Sequence, residues 1–147
     1  MWHLGYGHRT LREPMLTHNG HTLYMFGADA RCSVSFDHPS GCSCVGASMH
    51  QAICRECRWH AITTDDSEAV AAWHDHAMPG WRELPTMSIK NPRDGAGRPT
   101  PQAIAWIEAN YPAEWIFPGA PTIRPLEQYG NRAVEGRSPL GGFDFAL

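Results

Sequence analysis

Five cysteines fall within residues 32–57: Cys32, then Cys42-Ser-Cys44, then Cys54-Arg-Glu-Cys57. Few features constrain a chain as strongly, because thiols packed this densely are a disulfide framework, a redox pair or a metal site. The number is odd, and nothing near the N-terminus resembles a signal peptide. No stretch is long and apolar enough for a membrane span. The sequence is therefore expected to work in the cytoplasm, where thiols stay reduced, so a disulfide framework is disfavoured.

A structural zinc ion takes four tetrahedral ligands, commonly two from a C-x-x-C knuckle and two from a segment brought alongside. Cys54 and Cys57 supply the knuckle, and two of Cys32, Cys42 and Cys44 complete the set, so four of the five cysteines are expected to bind. His60, in Cys57-x-x-His60, and His76 are possible extra ligands. An iron–sulfur cluster would draw on the same cysteines. The rival readings are unligated cysteines serving as small core residues, and thioredoxin-like redox chemistry. The latter would want a strand before the C-x-x-C and a helix after it, whereas RWHAITT follows.

The 147 residues are enough for one domain, and with 14 Gly and 12 Pro much of it should be loop. The expected fold is α+β: a small zinc-stapled domain over 1–147 with a β-hairpin or small antiparallel sheet, two helices and long irregular loops. The hairpin lies in 14–27, where Asn19-Gly20 suits a two-residue turn and Leu23 and Met25 face inward. The cysteine region follows over 32–60. A helix near 65–78 starts on an Asp65/Glu68 capping box and stops at Met78-Pro79-Gly80, with Ala69, Ala72, Trp73 and His76 on its apolar face. A connector leads to a second helix near 100–111, with Thr100 as N-cap and Pro101 behind it. Residues 118–147, rich in Gly, Pro and Arg, read as an irregular tail.

His74-Asp75-His76 is the sequence's nearest approach to a catalytic group. Successive helical residues point about 100° apart, so the two histidines diverge by about 200° and do not converge on one ion. Net charge is −3, and eleven of the twelve basic residues are Arg, Lys90 being the exception. That balance disfavours a globally basic nucleic-acid binder while leaving local patches open. Arg82, Arg93 and Arg98, in the 81–99 connector, are the candidate partner-binding residues.

The series ADARC, CSCVG, CRECRW, HDHAMPGWRELP and the terminal PLGGFDFAL resembles an uncharacterised domain-of-unknown-function family of actinobacteria and their phages. The resemblance covers roughly residues 20–147. It implies that 74–82, with His74, His76, Pro79, Gly80, Trp81 and Arg82, is a signature of fold or site, and it implies no activity. The expectation that follows is a non-enzymatic, zinc-binding phage or mobile-element protein. It would bind and modulate a host protein or complex, for example as an anti-defence inhibitor. A nucleic-acid-binding zinc module is the alternative, with Arg55 and Arg58 beside the knuckle. A metal-dependent nuclease using His74, Asp75 or His76 is the second alternative.

Overall fold

A computed structural model describes residues 3–4, 13–29, 48–125 and 132–147. Among the described residues, two helices and two sheets make an α+β fold. It divides into two compact units, Met1–Trp73 and His74–Leu147, the boundary falling inside the first helix.

The first unit is built on the hairpin. Strand β1 (His3–Leu4) pairs with the far end of β3; β2 (Leu16–His18) and β3 (His21–Asp29) are joined by Asn19 and Gly20, with φ of 46° and 78°. Two successive positive φ values are what a type I′ turn demands, and its twist matches that of the strands it joins. Strand β4 (Ser48–Cys54) lies antiparallel beside β3, and β5 (Trp59–Thr63) beside β4. Side chains alternate across the pleat, so Leu23 and Met25 of β3 share a face with Ala52 and Cys54 of β4, and all four are buried. Helix α1 (Asp66–Ala77) buries Ala69, Val70 and Trp73. Asp65 caps it, its carboxylate accepting from the Glu68 N–H at 3.0 Å. The Trp73 indole N–H donates to the Thr22 carbonyl at 2.8 Å, which fixes this turn of the helix against β3.

The second unit begins in the last turn of α1. Beyond the end of α1 at Ala77, Gly80, at φ 92°, leads into a 3-10 turn at Trp81–Glu83, with Trp81 fully buried. Helix α2 (Pro101–Asn110) starts where the sequence places it, the Thr100 hydroxyl accepting from the Ala103 N–H at 3.2 Å. Among the described residues from 118 onward, three short strands stand where the sequence reads as an irregular tail. Strands β6 (Thr122–Arg124), β7 (Ala133–Val134) and β8 (Asp144–Ala146) form a sheet in the order β6-β8-β7, with β6 and β8 parallel. Strands of two or three residues carry no readable alternation, and β6 and β8 are buried at every position, so period two leaves no trace. Phe145 packs on Trp81 with ring centroids 4.2 Å apart. Arg124 and Asp144, both fully buried, approach to 3.9 Å, and the Thr122 hydroxyl donates to Asp144. Among the described residues, no helix is long and apolar enough to cross a membrane.

Candidate metal centre

Four donor atoms come together, one each from His21, Cys54, Cys57 and His76, all within 4.8 Å of one another. This group could hold a metal ion. Three of its members belong to the first unit and are placed by strand register. Tyr24 pairs with Ile53, so continuing the ladder sets Leu23 opposite Cys54 and His21 opposite Glu56. His21 is in phase with Leu23 and Met25, and therefore points to the same face as Cys54. Cys57 returns to that face through the tight turn joining β4 to β5, in which the Arg58 N–H donates to the Arg55 carbonyl at 3.2 Å and Arg58 takes a φ of 54°. The fourth donor, His76, lies three residues beyond Trp73 in the same unbroken helix, α1.

The spacing suits a single ion. His21 Nδ1 is 3.3 Å from Cys57 Sγ and 3.7 Å from Cys54 Sγ. An ion held tetrahedrally by sulfur at about 2.3 Å and nitrogen at about 2.0 Å separates such donors by about 3.5 Å. Charge suits it as well. Two thiolates and two neutral imidazoles make a neutral complex with a dication, which matters because Cys54 is fully buried. Without an ion, contact with the Cys54 thiol is the main cause holding the Cys57 thiol above its usual range, with loss of solvent and the neighbouring negative groups adding to it. A bound dication reverses that, since it favours both thiolates at once. Glu56 stands at the edge of the group, its carboxylate taking the Thr22 hydroxyl hydrogen and lying 3.9 Å from Cys54 Sγ. The Thr22 hydrogen bond is the first cause holding that carboxyl below the ordinary range.

The residues singled out from sequence fall in different places. Cys54, Cys57 and His76 are in the group. Cys32, Cys42 and Cys44 lie outside the described residues. His60 pairs with Ile53, one step out of phase with Cys54, and so projects exposed from the opposite face of the sheet. His21 escapes the sequence reading, although its phase with Leu23 and Met25 was there to be read. What was missing was the register that brings it beside the knuckle 33 residues away.

His74, Asp75 and His76 do not converge. His74 is fully buried among Trp81, Phe143 and Phe145, with ring centroids 4.8–5.6 Å away. Asp75 takes the Trp81 indole N–H at 2.8 Å and both Arg82 Nε and an Arg82 terminal nitrogen, at 2.8 and 2.9 Å. The Arg82 hydrogen bonds are the leading cause of its depressed carboxyl pKa. Of the three arginines expected at a partner surface, Arg82 is thus bound to Asp75 and stacked on Trp81. Arg98 is exposed and paired with Asp94 at 2.9 Å. Arg93 is half-buried rather than exposed, and donates to the Ser138 carbonyl at 2.9 Å.

Comparison with curated proteins and with solved structures gives no match. A family model matches residues 1–147, the whole length, so the chain belongs to the family of unknown function DUF6349.

Proposed function

We propose that this is a non-enzymatic binding protein stapled by one structural zinc ion, held by His21, Cys54, Cys57 and His76. The observation that carries the reading is the complete four-donor set. A structural zinc site is closed by four protein ligands, whereas a catalytic one keeps a position for water or substrate. Two sulfurs and two nitrogens in a tetrahedral set favour zinc among the common metals. An iron–sulfur cluster, whose irons are bridged by sulfide, would spread its protein ligands wider than one ion does. The divergence of His74, Asp75 and His76 also supports a non-enzyme, because catalysis needs its groups within reach of one reacting atom.

A protein partner is favoured over nucleic acid. Arg82 and Arg98 each have a carboxylate partner, which leaves Lys90 and Arg93 as the connector's uncompensated cations among the described residues, and the net charge of the chain is −3, a weak footing for phosphate binding. In the finer reading, a phage or mobile-element protein modulating a host complex, the origin comes from the motif resemblance and the binding role from small size, plentiful Trp and Arg and the lack of a converging catalytic set.

Elemental analysis of protein purified without added metal tests the core of this. One zinc per chain is expected, lost in His21→Ala and in Cys57→Ser, and retained when Cys32, Cys42 and Cys44 are all changed to Ser. Zinc that survives loss of Cys57 but not of the other three cysteines would move the site elsewhere. Chelator-sensitive cleavage of nucleic acid that depends on His76 would overturn the non-enzyme reading.

A further inference from the structure

The two thiols of the metal centre differ in a way that points to how the ion could leave. Cys57 is exposed at the turn, whereas Cys54 is buried at the end of β4. Their sulfurs belong to one group of donors within 4.8 Å, and only two residues separate them in sequence. They also supply both negative charges of the donor set. Chemistry that joins them therefore removes two ligands and all the compensating charge in one event.

We infer that Cys54 and Cys57 form a peroxide-sensitive release for the metal, an inference that rests on the zinc reading above. The exposed Cys57 thiolate attacks one oxygen of hydrogen peroxide; the O–O bond breaks, a sulfenic acid forms on Cys57, and hydroxide leaves and is protonated by solvent. The buried Cys54 thiolate then attacks the Cys57 sulfur. An S–S bond forms, the S–O bond breaks, and the second hydroxide takes a proton to become water. The thiolates together lose two electrons and the peroxide gains two. Zinc changes no oxidation state and departs as the dication, because two imidazoles are a poor site for an ion that wants four donors. The order follows from exposure: the accessible sulfur meets the oxidant, and the shielded one resolves it. Thiol reductant with added zinc reverses the cycle.

The test uses the full chain loaded with zinc and treated with hydrogen peroxide in the presence of a chromogenic chelator. One zinc per chain should be released as two thiols disappear. A tryptic map should then show the Glu56–Arg58 tripeptide disulfide-linked to the peptide ending at Arg55, with fragmentation placing the bond at Cys54. Reductant and zinc should restore both metal and thiols. Cys57→His, which retains a nitrogen donor, should slow release at least tenfold if it loads; if it does not load, the peptide map of the parent decides. Zinc retained under peroxide, a bond to Cys32, Cys42 or Cys44 instead, or release with Cys57 carried to sulfinic acid would each overturn the release mechanism while leaving the zinc site standing. A chain that takes up no metal overturns both.

Discussion

His74 and His76 sit two residues apart on one helix, and their surroundings share almost nothing. His76 is half-buried beside two thiols and a second imidazole; His74 is sealed among Trp81, Phe143 and Phe145. Both histidines belong to the second unit, and a comparable contrast runs between the two units themselves. In the first, the side chains buried around the hairpin are of modest size apart from Tyr24 and Trp73, and the β4–β5 turn is open to water. On the proposed reading, donor atoms that share an ion would hold this tight turn where large apolar side chains are few. In the second, stacked aromatic rings and a buried Arg124–Asp144 pair supply cohesion among the described residues. On that reading the two units are stapled differently, the first by an ion and the second by packing.

Withdrawing the ion should have the largest effect. Binding to the folded state alone contributes about 4 kcal/mol when free metal is a thousandfold above Kd. Chelation, or Cys54→Ser, is therefore expected to melt the β4–β5 turn and the strands around it, read as lost amide protection over 48–63. Protection at Phe143–Ala146 should outlast it. Simultaneous loss at both places would mean that the metal holds the whole chain rather than the first unit.

Removing the aromatic staple comes next. Trp81 is fully buried, touches His74 and Phe145 and donates to Asp75, so Trp81→Ala should cost about 3–5 kcal/mol. Zinc content at 25 °C should stay at the parent's value. An unchanged melting temperature would place Trp81 outside the core of its unit.

A smaller loss is expected at Gly142. A Cβ there would stand 2.2 Å from the Gly119 carbonyl oxygen, a backbone atom that cannot swing aside, whereas a Cβ on Gly95 meets nothing within 4 Å. Gly142→Ala should therefore cost about 1–3 kcal/mol or more, and Gly95→Ala almost nothing. Equal stabilities by denaturant titration would show that the 119–120 segment yields easily.

These two regions were unequally legible from sequence. Asn19-Gly20, Asp65 with Glu68, and Thr100-Pro101 are local codes, each satisfied within a few residues, and the hairpin and both helices appear where those codes put them. Half of the metal group was local as well, since Cys54 and Cys57 share one turn. His21 and His76 depend on register and on helix docking, which are set by contacts 33 and more residues apart. The C-terminal sheet left even less trace. Its strands are too short for periodicity, and Arg124 facing Asp144 across 20 residues looks in sequence like surface charge.

The smallest effect should have the opposite sign, and it probes the metal staple from its backbone. Arg58 closes the knuckle with φ at 54°, a left-handed conformation that costs an ordinary side chain about 1–2 kcal/mol and glycine almost nothing. Glycine also loses more chain entropy on folding, which returns about 0.4–1 kcal/mol of that gain. Arg58→Gly should therefore stabilise the zinc-loaded chain by about 0.5–1 kcal/mol and tighten zinc binding by a small factor, because a relaxed turn holds Cys54 and Cys57 in place before the ion arrives. Competition with a chelator of known affinity reads the second quantity directly. If the variant binds zinc more weakly, the Arg58 side chain contributes something to the knuckle that outweighs its strained backbone. The first unit would then owe part of its cohesion to that guanidinium rather than to the ion.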